Sequence, residues 1–399
     1  MSAELEQQEL SRICAGARSG GRIALDTEFM GEGRYRTLLC LVQLAIPEGS
    51  APGDRILVVD PLREDLDGSE LASVLADPAV QVVVHAGRQD IALIRRRLGS
   101  EVSNVFDTQV AAGFAGMGAQ SSYETLLSEA LGVRVAKSAS FTRWDARPLS
   151  REQMGYARED VVHLLELASQ LERRLTEAGR LAWAMEECEP LERSSDERDL
   201  EVIFARLPRI NSLSANQRPV ARELCRWREE TAARSDRTVQ SVLGDATLVE
   251  IAKRRPTSRS ELERIRGVGG HAGGRRGEDI LAAITRARSL PPDPAEHTPR
   301  GPSSRPDDAP LIALGEALLR SRAREAGLAY ELLAARADLQ AIVAASREGA
   351  DEADVRTLRG WRRELAGAEL LELLEGRIGL SVSGSGRDRR VRVDEAPPR

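Results

Sequence analysis

Three strand-length apolar runs stand in close succession near the start of the chain: Arg22–Phe29, Leu38–Ile46 and Arg55–Asp60, separated by turns containing glycine or proline. The second holds Leu39-Cys40-Leu41-Val42-Gln43-Leu44, nearly continuous in apolar character, as a buried strand should be. A short helix near Ser69–Leu75 separates them from a fourth strand, Val80–His85. Helical segments follow at Asp90–Leu98, Thr108–Phe114, Tyr123–Leu131 and Glu152–Leu175. A meander that gives way to strands alternating with helices predicts an α/β sheet with helices on its faces. A helix over residues 1–20, with Leu5, Leu10 and Ile13 on one side, precedes it.

The first strand carries two carboxylates one residue apart, in Leu25-Asp26-Thr27-Glu28-Phe29. Residues i and i+2 of a strand share a face, so Asp26 and Glu28 sit side by side, which suits a hard divalent cation. Asp-x-Glu is common, and alone it reads first as a solvated edge strand. Two further sites change the balance. In His85-Ala86-Gly87-Arg88-Gln89-Asp90 a strand ends, glycine turns the chain and Asp90 opens a helix, where it also favours the macrodipole. In Tyr156-Ala157-Arg158-Glu159-Asp160, Tyr156 and Asp160 are i and i+4 on one helix face. Four acids converging on one sheet edge repel unless cations neutralise them. Two divalent ions about 3.5–4 Å apart do so and catalyse in-line phosphoryl displacement. All-oxygen ligands point to Mg²⁺ or Mn²⁺, and Tyr156 is placed to orient the attacking water.

Composition narrows the class. The 399 residues suffice for two to three domains. No run approaches the roughly 18 apolar residues of a membrane span, so no membrane partner is expected, and the acidic N-terminus lacks the basic start of a signal peptide. Cys14, Cys40, Cys188 and Cys225 are far apart and form no CxxC, which fits a reducing cytoplasm and argues against a zinc cage. The net charge is −6, yet residues 215–290 hold 16 Lys/Arg against 10 Asp/Glu. That basic middle is a footprint for phosphates, although the use of arginine throughout, with Lys137 and Lys253 the two lysines, weakens the inference.

Residues 22–168 resemble the ribonuclease D type of 3′–5′ exonuclease, in the DEDD superfamily with a tyrosine in the third motif. The three motifs carry the likeness, together with Val42-Gln43-Leu44, Asp60-Pro61-Leu62, Phe106-Asp107-Thr108-Gln109, Lys137-Ser138, Trp144 and Arg147-Pro148-Leu149. The resemblance implies a ribonuclease H-like mixed-sheet exonuclease domain. It assigns Asp26, Glu28, Asp90 and Asp160 as metal-binding acids and Tyr156 as the residue that positions water. Gln89 stands where many relatives carry an acid, beside the ligand position rather than at it. By the same resemblance the terminal nucleotide lies against the first motif, which makes Thr27, Phe29 and Gln43 candidate substrate contacts. His85 and Lys137 are further candidates; His85 reads first as a strand-end hydrogen-bonding residue that holds the second motif, and Lys137 equally as a solvated one. Asp107 reads as the N-cap of the helix starting at Thr108.

Beyond the exonuclease domain with its helical extension (1–207), the chain is helical. Residues 208–290, with Leu224, Trp227, Leu243, Leu248 and Ile251 at helical spacing, resemble the HRDC domain, a small nucleic-acid-binding module. The glycines of 267–270 with Arg275 and Arg276 offer a phosphate contact there; the alternative is a packing and spacing module. Residues 291–310 hold seven prolines and read as a linker. Residues 311–380 resemble a second, diverged HRDC-like unit, with 10 Arg against 12 Asp/Glu, and 381–399 read as a disordered tail.

The expectation is therefore a cytoplasmic, metal-dependent 3′–5′ exoribonuclease, favoured as a monomer. It would release nucleoside 5′-monophosphates from structured RNA with a single-stranded 3′ end, with tRNA precursors the substrate implied by resemblance. Alternatives are an exonuclease acting on DNA, a catalytically silent RNA-binding scaffold, and a phosphatase using the same metals.

Overall fold

In the computed structural model, residues 3–50, 55–63, 65–135, 143–268, 273–293, 305–349, 352–385 and 389–395 are described. Five strands form one mixed sheet in the order β3–β2–β1–β4–β5. They are β1 (Arg22–Met30), β2 (Leu38–Ala45), β3 (Ile56–Val59), β4 (Gln81–Val84) and β5 (Val105–Asp107). The first three are antiparallel neighbours, as tight loops require. β4 and β5 run parallel to β1, each reached by a crossover through a helix. The four expected strands are present; β5 is not among them, since Val105-Phe106-Asp107 is too short to show a period of its own.

The two sheet faces are covered by different helices. On one side Ile23 and Leu25 of β1 pack with Leu10, Ile13 and Cys14 of α1 (Ala3–Gly20), Leu71, Val74 and Leu75 of α2 (Ser69–Leu75), and Ile91 and Ile94 of α3 (Arg88–Leu98). Leu5, expected in that stripe, is instead 53% exposed, because at 100° per residue it lies well around the helix from Leu10, while its neighbour Glu6 is buried against Arg63. On the other side Ala24 meets α4 (Thr108–Phe114), α5 (Tyr123–Leu126), α6 (Arg151–Val162), α7 (Leu164–Glu177) and α8 (Leu181–Glu192). The expected single helix Glu152–Leu175 is two: His163 leaves helical geometry at φ −108°, ψ 1°, and α7 starts afresh with Leu164 buried against the sheet. The apolar spacing runs through the break, which is why the sequence reads as continuous.

A second core is built from α9 (Leu200–Ala205), α10 (Arg218–Ser235), α11 (Val239–Val242), α12 (Asp245–Arg254), α13 (Arg259–Glu263) and α14 (Gly274–Arg288). Phe204 and Leu207 belong to this core, so its packing begins before residue 208. It touches the unit built on the five-stranded sheet through the β1–β2 loop. Arg34 pairs with Asp236 at 2.8 Å, and the Tyr35 hydroxyl lies 3.0 Å from a Glu229 carboxylate oxygen.

The last helical unit comprises α15 (Ala309–Glu325), α16 (Tyr330–Leu333), α17 (Arg336–Glu348), α18 (Gly360–Arg362) and α19 (Ala368–Leu374). It shares a core with the helices on the Ala24 side of the sheet: Trp361 meets Phe114 of α4 edge-on at 5.0 Å and stacks on Trp183 of α8 at 5.4 Å. The expected disordered tail is in part a hairpin. β6 (Ile378–Ser383) pairs antiparallel with β7 (Arg390–Glu395). Leu380 and Val393 face each other and pack against the shared core, which offsets the cost of ordering a polar segment. α15 begins at Ala309, so the expected linker ends earlier than residue 310.

Candidate active site

The parallel strands β1, β4 and β5 end at one edge, and the sequence motifs collect there. Even-numbered Ala24, Asp26 and Glu28 face the layer of α6 and α7; Ile23, Leu25 and Thr27 face that of α1 and α3. Asp26 lies opposite Gln43 of β2, and the β1–β2 register slips between Glu28 and Phe29, a bulge beside the second acid.

Asp90 arrives from the opposite layer. β4 ends at Val84, Ala86 takes φ +52°, and Gly87 starts α3. A side chain at Gly87 would meet the Val84 side chain at 2.5 Å, so glycine is required there. The amides of Ala86 and Gly87 donate to the Asp107 carboxylate at 3.0 and 2.9 Å. Asp107 also accepts from the Gln109 and Val110 amides, so it caps α4 as expected while tying that helix to the start of α3. Asp90, in the first turn of α3, is buried, and the Thr27 hydroxyl donates to its Oδ1. The Thr27 side chain is thereby engaged with Asp90.

Asp160 and Tyr156 ride on α6. Ser150 and Gln153 form a capping box at its start. Buried Ala157 and Val161 seat the helix against the sheet and turn Tyr156 and Asp160 toward the acids. The Tyr156 ring lies 6.0 Å from that of Trp144. Arg147, just upstream, forks onto Asp60 at 2.6 and 2.7 Å and reaches the Cys40 carbonyl oxygen at 2.9 Å, which anchors this segment to β2 and β3.

The electrostatics are those of a crowded anionic cleft. Burial raises the Asp26 pKa well above the ordinary carboxylate range, and Asp90, Asp160 and Glu28 push it further. Glu28 rises to about 8 through burial, then Asp160 and Asp90. Asp160 rises to about 7 through burial, with Glu124 and Glu159 adding to it and a hydrogen bond from Tyr156 opposing it. Asp90 rises to about 6, again through burial, with the Thr27 hydrogen bond pulling it down. Among the described residues no three acids, histidines or cysteines already form a metal-sized cluster. The four acids share a cleft rather than a closed shell, as like charges without a counterion should.

The donor set nevertheless fits hard cations. It is all oxygen, and Asp160 Oδ2 is buried with no hydrogen-bond partner among the described residues. The amide oxygen and nitrogen of Gln43, fully buried beside Asp26 in register, are likewise unpartnered. Phe29 stands at the strand end, 38% exposed. His85 Nδ1 lies 3.0 Å from the Thr108 hydroxyl, and burial lowers its pKa. Lys137 lies outside the described residues, as do residues 269–272 of the glycine-rich loop. Arg275 and Arg276 are in the first turn of α14, in the second core, and are not brought to this cleft. A residue the motifs did not single out is Tyr123: its ring lies 5.5 Å from that of His85, and burial and Asp160 raise the pKa of its hydroxyl. Its sequence signal, a tyrosine opening a helix after Ser122, is indistinguishable from a packing residue.

Sheet order, strand-edge acids and a tyrosine-bearing helix together define a 3′–5′ exonuclease. The 3′-5′ exonuclease family model matches residues 4–176, and the HRDC domain model matches 217–284. Ribonuclease D of Granulibacter bethesdensis is 40% identical over 386 residues, covering 95% of this chain and 94% of the relative. Ribonuclease D of Acidiphilium cryptum is 36% identical, covering 98% and 96%. The crystal structure of Escherichia coli RNase D, described as an exoribonuclease involved in structured RNA processing, superposes with a TM-score of 0.75 at 27% identity, covering 92% of this chain and 96% of that one. The chain belongs to the ribonuclease D family and is a 3′–5′ exoribonuclease.

Proposed function

We propose that Asp26, Glu28, Asp90 and Asp160 hold the divalent cations on which exonucleases of this type depend, and that Tyr156 positions the water that attacks the terminal phosphodiester. Mg²⁺ and Mn²⁺ suit these ligands; when bound, such ions supply charge neutralisation and Lewis acidity at the scissile phosphate. The observation that carries this assignment is the orphaned, buried Oδ2 of Asp160 in a cleft where all four carboxyls are raised. A buried acceptor without a donor is costly, and a cation relieves that cost and the mutual repulsion together.

Tyr156 hydrogen-bonds Asp160 from one helical turn away, so its hydroxyl is held at the edge of the acid cluster. From there it orients a water toward the phosphorus, and hydrolysis releases a nucleoside 5′-monophosphate. Phe29, exposed at the end of β1, offers a face on which the terminal base stacks. The substrate is a structured RNA with a single-stranded 3′ end, such as a tRNA precursor. The E. coli relative's role in structured RNA processing and the basic stretch 215–290 support that choice. Among the described residues no helix is long and apolar enough to cross a membrane, and four free, buried cysteines suit a reducing compartment, so we place the activity in the cytoplasm.

The test uses a 3′-tailed RNA hairpin and its DNA counterpart, with Mg²⁺, Mn²⁺ or EDTA, alongside Asp26→Asn. Metal-dependent shortening of the RNA from its 3′ end, lost in the variant, is the expected result. Full activity of Asp26→Asn would remove that residue from the ligand set, and equal trimming of DNA would overturn the RNA preference.

A further inference from the structure

Counted alone, residues 311–380 are close to electrical balance, with 10 Arg against 12 Asp/Glu, and carry no sign of an anion site. The C-terminal hairpin changes that. It lays Arg389, Arg390 and Val391 against the face of α15 formed by Ala317, Arg320, Ser321 and Arg324. That spacing of i, i+3, i+4 and i+7 makes one helix face. Between helix and strand lies a cavity of about 600 Å³.

Its charges are unevenly committed. Arg320 pairs with Glu316 at 2.7 Å and lies over the Tyr330 ring at 4.2 Å. Glu325, the acid among the lining residues, is held by Arg322 at 2.6 Å. Among the described residues no carboxylate engages Arg324, Arg389 or Arg390. Three arginines without a carboxylate partner among the described residues line one cavity and raise its positive potential, and the planar fork of a guanidinium matches phosphate oxygens two at a time. The lining has no aromatic ring to hold a base; Ala317 and Val391 are its apolar members. That favours a sugar–phosphate backbone over a free nucleotide.

We propose that this cavity docks the phosphodiester backbone of the RNA's structured body, away from the carboxylate cleft that trims its 3′ end. The identity of the anion rests on the exoribonuclease reading. Arg324 and the paired Arg389 and Arg390 hold the backbone from two sides, so the site exists only when the hairpin is closed on α15.

The experiment measures binding of the full chain in EDTA to a 3′-tailed RNA hairpin and to the isolated tail, across a salt series. Arg324→Gln/Arg389→Gln/Arg390→Gln is compared with wild type and with the triple lysine variant. The glutamine variant should bind the hairpin about tenfold more weakly, and its slope of log K against log salt should fall by about two. Tail binding, and Mg²⁺-dependent trimming of a short single-stranded oligomer, should be unchanged. The lysine variant should keep the slope, because it keeps the charge. An unchanged slope in the glutamine variant, or an equal loss in the lysine variant, overturns the proposal. Failure of wild type to trim the oligomer would instead strike the exoribonuclease reading, while the salt slope would still report on this cavity.

Discussion

The Asp107 carboxylate accepts the Gly87 amide at 2.9 Å, linking the end of β5 to the start of the helix that carries Asp90. One buried side chain satisfies the Ala86, Gly87, Gln109 and Val110 amides. Asp107→Ala leaves those donors without an acceptor and should destabilise the protein by about 3 kcal/mol, measured by equilibrium urea unfolding. Asp107→Asn keeps one acceptor oxygen and should fall between. Because Asp90 depends on the same turn, activity should drop in both variants even at temperatures where they are fully folded. Wild-type activity in a folded Asp107→Ala would mean that Asp90 finds its place without this cap.

The raised carboxyls make stability depend on pH in a definite direction. An unfolded carboxyl titrates near 4, whereas Asp90, Asp160 and Glu28 titrate at about 6, 7 and 8 in the fold. Between those values the folded protein holds protons that the unfolded chain has released. The favourable contribution is complete below about pH 4 and is lost as pH rises through 6 to 8. In EDTA the Tm should therefore fall from pH 5.5 to 8.5. Saturating Mg²⁺ binds the ionised form, so the Tm increase it causes should be larger at pH 8.5 than at 5.5. Asp160→Asn should flatten the EDTA profile. A Tm in EDTA that rises over this interval would show that these carboxyls are not raised in the fold.

Tyr156 separates chemistry from cation binding. Tyr156→Phe preserves the ring beside Trp144, 6.0 Å away, and removes the hydroxyl that bonds Asp160. The expected result is a loss of about 10²-fold in kcat, with the Mg²⁺-induced Tm increase retained. Single-turnover trimming and thermal melts on one preparation check both halves. Loss of the Mg²⁺ effect as well would assign Tyr156 to the cation site itself.

Trp361 holds the last helical unit to the exonuclease unit. It is buried between Phe114 and Trp183, and its indole N–H donates to Glu187 at 3.2 Å. Trp361→Ala should cost about 3–5 kcal/mol, read from urea unfolding. A chain ended at residue 293 would expose the Phe114–Trp183 surface and should self-associate on size exclusion. A monomeric, active truncation would show that the exonuclease helices do not need this cover.

The residues that collect at the cleft were legible because their patterns are local. Asp26 and Glu28 two apart on a strand, Asp90 at a helix start, and Tyr156 and Asp160 four apart on a helix are short-range patterns that the backbone periods enforce. The N-cap role of Asp107 followed from the same kind of rule, and four of the five strands announced themselves by apolar runs. Other features depend on distant partners. Val105–Asp107 is a strand because β4 lies beside it. His163 interrupts a helix whose apolar spacing continues across it. The segment after Ser381 is polar enough to read as disordered, and pairs because Leu380 and Val393 find the shared core.

By itself, then, the sequence determined the kind of reaction and the residues proposed to perform it, since acid spacing and helix starts are set within a few residues. The tertiary structure decided what lies between remote segments: the Asp107 link to Gly87, the tryptophan seam that joins the last helices to the exonuclease, and an arginine cavity assembled from α15 and β7. Long-range packing selects those pairings by the apolar surface they bury jointly, and no stretch of the chain read singly carries that term.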